Sequence, residues 1–135
     1  MRKLWPTRRI STVVMSEHPF SPASRAELIR RLGTLTLRSE RDGDTHAITV
    51  SGELDLASAP DLEAELQAVE ASDARTIMLD LAGLDFIDST GLRLLLNAHA
   101  RSRADSDRLV LLRPADGVFR VFEIAGLADR LPFAD

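Results

Sequence analysis

The sequence predicts an α/β fold: a small mixed β-sheet with an N-terminal antiparallel hairpin, remaining strands that are largely parallel, and helices packed mainly against the sheet. Polar and apolar residues alternate over 34–38 and again over 46–54, which is typical of the two half-buried strands of a hairpin. Short apolar runs at 76–81 and 109–112 then alternate with segments of helical periodicity, and strands separated by helices pair in parallel through right-handed crossovers. The 135 residues are enough for one such domain to bury its own core.

The domain is assigned to residues 34–135, and residues 1–33 are predicted to form an N-terminal extension that is disordered or partly helical. Three prolines before residue 24 argue against a packed element there, whereas 24–32 suits one or two helical turns. The extension carries seven basic and two acidic side chains, a net charge of +5, while the whole chain carries −4. The domain is therefore acidic, with a net charge of −9.

The hairpin turn is predicted at Arg41–Asp44, where an Asp-Gly pair suits a tight connection. The first helix of the domain is predicted to follow Ser58, a preferred N-cap residue, with Pro60 in the first turn, where the missing N–H costs nothing. The side chains predicted to form the buried stripe of this helix are Leu62, Leu66 and Val69.

In the second half of the chain, the nearly continuous apolar run at 76–81 predicts a central strand that is covered on both faces. A short acidic loop and an apolar helix are predicted to follow it, and 109–112 predicts another buried strand. Residues 117–124 predict a helix that ends at Gly126, and 128–133 predict a last turn.

The segment Asp88-Ser89-Thr90-Gly91 places two hydroxyls at the start of a helix, where free backbone N–H groups favour an anion. Asp and Ser are preferred helix caps, and a cap needs no further purpose. However, one cap residue would suffice, and Asp85 and Thr90 are supplied as well. Gly91 in the first turn costs about 1 kcal/mol relative to Ala, but it lets a backbone or a ligand approach closely. The residues alone leave both interpretations open and favour a functional loop that could carry a reversible phosphate.

Three segments together resemble the STAS domain of bacterial anti-sigma factor antagonists. They are Gly52–Pro60 (GELDLASAP), Asp80–Leu92 (DLAGLDFIDSTGL) and Val121–Leu127 (VFEIAGL). The similarity spans about residues 34–135, with the segments in the family's order and at compatible spacing. It implies a STAS-like fold for this part of the chain and leaves residues 1–33 unexplained.

The resemblance implies a binding module that is switched by phosphorylation. When unphosphorylated, such an antagonist binds an ATP-dependent anti-sigma factor serine kinase and so releases a sigma factor. The kinase then phosphorylates a hydroxyl between the Asp and the Gly, the complex dissociates, and a PP2C-type phosphatase resets the cycle. The acceptor corresponds to Ser89, with Thr90 as the alternate.

The resemblance also implies which residues form the switch loop and the partner-binding surface. They are Asp55, Ser58, Asp85, Asp88, Thr90, Gly91, Leu92 and Arg93. Asp88 is expected to orient the loop and Gly91 to permit close approach. A phosphate on Ser89 is expected to gain N–H donors from the helix start and to strengthen a negative patch. Arg93 departs from the small residue, usually Gly, that often follows the Gly-Leu pair in this family.

The sequence predicts a protein that is not an enzyme. Ser89 lacks a Gly-x-Ser-x-Gly context, and the nearest histidine, His99, lies nearly three helical turns further along and is predicted to be a helix-face residue with a polar edge. His18, His46 and His99 have no acidic partner at ligand spacing, so no metal site is predicted. Neither is a cofactor predicted, because no Gly-rich phosphate-binding loop is present.

The composition of the chain bears on its binding partners and on its location in the cell. The acidic domain argues against direct nucleic-acid binding. No run approaches the roughly 18 apolar residues that a membrane span needs. The chain contains no cysteine, and its first 20 residues lack the apolar core of a secretory signal. A cytoplasmic protein is therefore expected.

A second interpretation is a non-phosphorylated STAS scaffold or interaction module in a stress-signalling or lipid-transport assembly. The presence of both hydroxyls in the Asp-Ser-Thr-Gly context favours the phosphorylation switch, because a pure scaffold would not need them.

Overall fold

A computed structural model describes residues 35–134, and the predictions made for 1–33 lie outside the described residues. Five strands form one sheet in the order β1-β2-β3-β4-β5, with three helices in the described range. Along the chain the elements are β1 (Thr36–Asp42), β2 (Thr45–Leu54), α1 (Ala59–Glu70), β3 (Thr76–Ile87), α2 (Ser89–Ala104), β4 (Leu109–Leu112), α3 (Asp116–Ile124) and β5 (Phe133–Ala134). Strands β1 and β2 are antiparallel and all other neighbours are parallel. The predicted mixed α/β sheet is confirmed.

The hairpin turn is tighter than predicted. Arg41 and Asp42 are the last residues of β1, and Asp42 pairs with Thr45. Only Gly43 and Asp44 connect the strands, with Gly43 at a φ of 63° that favours glycine. The predicted turn began two residues too early because strand pairing extends to the end of the polar run.

Strand β3 is buried along one row of side chains only. Ile77, Leu79 and Leu81 are buried, whereas Met78 and Asp80 between them are half-buried. The prediction of a strand covered on both faces is therefore wrong, because an apolar run does not reveal which alternate positions meet the helices. The largest fully buried side chains of the core are Phe122, Ile48, Leu54, Leu62, Leu66, Leu79, Leu81, Leu84, Leu95, Leu111 and Val50.

The predicted acidic loop after residue 81 is a continuation of β3. The strand runs to Ile87, and its register with β2 shifts twice, between Thr49 and Ser51 and between Gly52 and Glu53 of β2. Such bulges insert extra residues and break the two-residue period that identifies a strand in the sequence. Only Asp88 separates β3 from α2, so the helix begins immediately after the strand ends.

The helices agree closely with their predicted extents. Helix α1 carries its proline in the first turn, and its predicted apolar stripe is buried. Helix α3 ends before Gly126, whose φ of 77° lets the N–H of Leu127 bond back to the carbonyl oxygen of Phe122 at 2.8 Å. After a turn at 128–130, β5 pairs with β4. This strand was not predicted, because two residues are too short to show a periodic pattern.

Two guanidinium groups hold the elements together at the amino ends of β3 and β4. Arg108 donates to the carbonyl oxygens of Glu70, Ser72 and Ala74, at 2.6, 3.3 and 2.7 Å. These carbonyls lie at the end of α1 and just after it, where backbone acceptors need partners from outside the helix. The guanidinium therefore fixes the end of α1 against the start of β4.

Arg101 joins α2 to α1 at the same end of the sheet. Its Nη2 lies 3.0 Å from a carboxylate oxygen of Glu70 and 3.2 Å from one of Glu63. The hydrogen bond to Glu70 is the main reason why the pKa of Arg101 is raised.

Candidate functional site

Ser89 is the first residue of α2, and its side chain is exposed, whereas that of Thr90 is half-buried. Asp88 occupies the N-cap position with an extended backbone. Its Oδ1 accepts hydrogen bonds from the backbone N–H of Thr90 at 2.9 Å and of Gly91 at 3.0 Å. The carboxylate thus satisfies two of the amides that a helix start leaves without partners.

These bonds correct the expectation that free N–H groups would receive a phosphate here. The amides of Thr90 and Gly91 are occupied by the Asp88 side chain, and that of Leu92 donates to the Asp88 carbonyl oxygen at 3.0 Å. A phosphate on Ser89 could bind these three groups only by displacing existing bonds. The sequence could not show this, because Asp, Ser and Thr are all suitable caps and the folded backbone decides which one acts.

Asp88 also ties the start of α2 to the loop between β2 and α1. Its Oδ2 accepts from the N–H of Leu56 at 3.1 Å, and its own N–H donates to the carbonyl oxygen of Leu54 at 3.2 Å. One residue therefore fixes the two loops that follow neighbouring parallel strands. The two loops therefore lie at the same end of the sheet.

The β2–α1 loop is stabilised from within by Asp55 and Ser58. The Oδ1 of Asp55 accepts from the N–H of Ala57, the N–H of Ser58 and the Oγ of Ser58, at 3.0 to 3.1 Å. The Ser58 hydroxyl also donates to the carbonyl oxygen of Glu53 at 2.8 Å and accepts from the N–H of Asp55 at 3.0 Å. Both side chains shape the loop.

Ser58 corrects a second expectation. It stands at the N-cap position of α1, as predicted, but its side chain makes no capping hydrogen bond to the helix. Because the side chain is fully buried and points back into the loop, it is not on the surface that a partner would meet. Sequence patterns assign a cap by position and cannot tell which way the hydroxyl turns.

Gly91 is buried, and the close approach it permits is made by the protein's own core. A Cβ at this position would lie 2.7 Å from Cγ1 of Ile87 and 2.9 Å from Cγ of Leu54. The expectation that the missing side chain admits a backbone or a ligand is therefore wrong. Gly91 lets the first turn of α2 pack against the ends of β2 and β3.

The other predicted site residues differ in exposure. Asp85, near the end of β3, and Arg93, on the second turn of α2, are exposed. Leu92 is half-buried and packs against the core. Arg93 forms no ion pair within residues 35–134.

Two exposed apolar side chains at this end of the sheet were not predicted as site residues. Leu56 is 72% exposed and Phe86 is 48% exposed, although apolar groups of this size are normally buried when a neighbour can cover them. Leu56 follows Asp55 in the bonded loop, and Phe86 pairs in register with Glu53. Phe86 lies beyond the bulges of β3, so alternation in the sequence could not assign its face.

The described range contains two histidines, His46 and His99. The Nδ1 of His99 is buried and has no hydrogen-bond partner among them, so the predicted polar edge of this residue is not satisfied there. The Oγ of Ser39 lies 2.5 Å from Nε2 of His46, but Ser39 is buried.

No group of three His, Cys, Asp or Glu residues is arranged to hold a metal ion in the range 35–134. Over the same range, no helix has the length and apolar character needed to cross a membrane.

Comparisons with known proteins agree with this architecture. The profile of a family described as "Mlab, STAS domain" matches residues 37–132. The anti-sigma-B factor antagonist of Listeria monocytogenes is 37% identical over 90 residues, which cover 67% of this chain and 79% of that protein.

Two solved structures are also similar to the chain. The anti-sigma factor antagonist SpoIIAA in its unphosphorylated form superimposes with a TM-score of 0.60 at 29% identity, covering 73% of this chain and 88% of that one. The Bacillus cell fate determinant SpoIIAA in its phosphorylated form gives a TM-score of 0.56 at 28% identity, covering 73% and 91%.

Proposed function

The chain belongs to the STAS domain family, and on that premise we propose that it is an anti-sigma factor antagonist controlled by phosphorylation. When unphosphorylated, it binds an anti-sigma factor serine kinase and thereby releases a sigma factor. Phosphorylation by that kinase, with ATP, ends the interaction, and a PP2C-type phosphatase restores it. Because these partners act on transcription, the proposed site of action is the cytoplasm. The protein acts by binding and not as an enzyme.

The observation that carries this proposal is the exposed hydroxyl of Ser89 on a helix start that Asp88 holds in place. Asp88 fixes the backbone of the first turn with two hydrogen bonds and the neighbouring loop with a third. A rigidly presented hydroxyl suits a kinase, because less freedom is lost when it is positioned for attack on the γ-phosphate. Related proteins bear the name anti-sigma-B factor antagonist, and a structural neighbour has been solved in a phosphorylated form.

Exposure favours Ser89 over Thr90 as the acceptor. Ser89 is exposed at the first position of α2, whereas Thr90 is half-buried. A kinase could reach the Thr90 hydroxyl only by approaching closer to the core. We therefore assign Ser89 as the acceptor and keep Thr90 as the alternate.

The switch follows from electrostatics and desolvation rather than refolding. A phosphate adds about −1.5 to −2 charges at neutral pH. Asp85 and Asp88 both precede Ser89 in the sequence, and Asp88 is already engaged with the helix amides. A partner surface fitted to a neutral hydroxyl would lose affinity through like-charge repulsion and the cost of burying the phosphate. A loss of about 3–4 kcal/mol weakens binding several hundred-fold.

The proposed partner-binding surface combines the hydroxyl with the apolar and charged side chains around it. Leu56 and Phe86 offer exposed apolar area at the same end of the sheet, and buried apolar groups surrounded by polar ones are typical of interface centres. Asp85 and Arg93 supply exposed charges of opposite sign. Asp55, Ser58 and Gly91 contribute indirectly, because they shape the two loops.

Mass spectrometry after incubation with the anti-sigma factor serine kinase encoded in the same genome tests the proposal. Wild type and Thr90→Ala should each gain one phosphate on Ser89, and Ser89→Ala should gain none. Modification outside Ser89 and Thr90, or none in wild type, would contradict the proposal, and modification of Thr90 in place of Ser89 would move the acceptor to the alternate.

A non-phosphorylated STAS scaffold in a stress-signalling or lipid-transport assembly remains a second candidate function. The exposed apolar side chains of Leu56 and Phe86 also suit this function, because such a surface can bind a partner without any phosphate. Capture of partners with Ser89→Ala, Ser89→Asp and the phosphorylated chain separates the two. A scaffold binds equally well in all three forms, whereas the antagonist loses its kinase when phosphorylated.

A further inference from the structure

A phosphate on Ser89 would find few hydrogen-bond donors in its own helix. The amides of Thr90 and Gly91 donate to Asp88, and that of Leu92 donates to the Asp88 carbonyl oxygen. Three carboxylates lie at this end of the sheet: Asp88 directly before Ser89 in the chain, Asp85 four residues before it, and Asp55 in the loop that Asp88 contacts. Nearby carboxylates favour the less charged form of a phosphate. The second pKa of a phosphoserine, about 6 in isolation, would therefore rise toward neutral pH.

One cation is positioned to oppose this effect. Arg93 lies four residues after Ser89 in α2, and residues at this spacing are neighbours on one helix face, with Cβ atoms about 5–6 Å apart. Long side chains on a helix point back toward its N-terminus and cover the preceding turn. An Arg93 side chain in this preferred orientation would reach over the first turn, where Ser89 begins the helix. Both residues are exposed, so neither must leave the core for them to meet.

Arg93 is also available for this contact. Arg101 and Arg108 are engaged with carboxylates and carbonyl oxygens at the other end of the sheet. Arg93, in contrast, forms no ion pair with any residue in the described range. A guanidinium offers a planar set of donors that matches two phosphate oxygens at once.

We propose that Arg93 is the intramolecular partner of the phosphate on Ser89 and favours its dianionic form. The occurrence of the phosphate rests on the proposed function, but the pairing is a property of the helix and can be tested separately. Arg93 is a positioning residue, which acts through the charge state of the phosphate. Its effect is to offset part of the influence of the surrounding carboxylates on the charge of the phosphate.

The test uses the full chain with phosphoserine incorporated at position 89 during translation, so that no kinase is required. A ³¹P NMR titration measures the second pKa of the phosphate in wild type, Arg93→Gln and Arg103→Gln. Arg103 is the matched control, because it is exposed on the same helix but lies fourteen residues from Ser89, about 21 Å along the axis. Both variants remove one positive charge.

Arg93→Gln should raise the phosphate pKa by about 0.2 to 0.4, as expected for loss of one exposed charge pair at this spacing. Arg93→Lys should retain most of the wild-type value, and Arg103→Gln should change it by less than about 0.1. An unchanged pKa in Arg93→Gln, or an equal rise in both Gln variants, would overturn the pairing. Failure of the kinase to phosphorylate Ser89 would instead count against the proposed function and leave the NMR result standing.

Discussion

The two ends of the sheet use charged side chains in opposite ways. At the amino ends of β3 and β4, guanidinium groups are bonded within the fold: Arg108 donates to three carbonyl oxygens, and Arg101 pairs with Glu70 and Glu63. At the carboxyl ends of β2 and β3, carboxylates accept from backbone amides. Asp88 does so for both loops at that end.

The two ends of the sheet therefore differ in role: one stabilises the packing of the helices, and the other presents side chains to a partner. The guanidinium groups at one end join α1, α2 and β4. At the other end, the carboxylates hold the backbone, and the hydroxyl of Ser89 and the guanidinium of Arg93 remain exposed. Substitutions at the first end should therefore change folding stability alone, and those at the second should divide into residues that shape the loops and residues that bind.

The largest effect on stability is expected for Arg108→Met. The variant leaves three carbonyl oxygens near the end of α1 without the charged donor that now serves them, which should lower the free energy of unfolding by about 3 kcal/mol. Urea denaturation provides the measurement, with the exposed Arg103→Gln as a control expected to stay within about 0.5 kcal/mol of wild type. A loss below about 1 kcal/mol would show that this guanidinium is not essential to that end of the sheet.

Gly91→Ala should have the next largest effect, at the other end. Its Cβ would lie within 3 Å of Ile87 and Leu54 side-chain atoms, and overpacking of this kind costs about 2 kcal/mol. Gly117→Ala is the matched control in α3, because nothing lies within 4 Å of its added Cβ. The control should be stabilised by about 0.5–1 kcal/mol. Equal behaviour of the two variants in thermal unfolding would refute the packing role of Gly91.

Asp88→Asn isolates the bond between the two loops. The Asn side-chain oxygen can still accept from the helix amides, but its NH₂ group cannot accept from the N–H of Leu56. A loss of about 1 kcal/mol is expected. Hydrogen exchange should accelerate at Leu56 while Thr90 and Gly91 remain protected. If protection is lost equally at all three amides, Asp88 does not connect the loops in the way described.

Ser89→Ala should change stability least. The exposed hydroxyl supports no hydrogen bond of the loop, so the free energy of unfolding should stay within about 0.5 kcal/mol of wild type. Ser58→Ala provides the contrast, because its buried hydroxyl bonds to Glu53 and Asp55, and its removal should cost about 1–2 kcal/mol. Chemical denaturation of both variants distinguishes a serine that takes part in binding from one that stabilises the fold. A large loss in Ser89→Ala would place this residue among the structural ones.

The order of elements and the mixed sheet could be predicted because hydrophobic periodicity and turn residues are local properties. The stripe of α1 and the end of α3 at Gly126 are examples. What the sequence could not show depends on contacts between distant segments. The bulges of β3 interrupt the two-residue alternation, so the last six residues of the strand, 82–87, could not be recognised as a strand. The apolar run at 76–81 likewise could not show that only one face of the strand is buried.

The candidate site divides in the same way. That Asp88 and Ser89 begin a helix follows from their types and order. Three other features depend on the contact between the β2–α1 loop and the start of α2. They are the pairing of each Asp88 carboxylate oxygen with its amides, the direction of the Ser58 side chain, and the side chains that fill the space beside Gly91. Leu56 in this loop is exposed, although a leucine side chain is normally expected to be buried.

The central claim is that a single phosphate on Ser89 changes binding and leaves the fold intact. Isothermal titration of the unmodified and the Ser89-phosphorylated chain into the anti-sigma factor serine kinase tests it most directly. We expect a dissociation constant several hundred-fold weaker for the phosphorylated chain, about 3–4 kcal/mol, with the same far-ultraviolet circular dichroism spectrum for both. Equal dissociation constants for the two forms would contradict it.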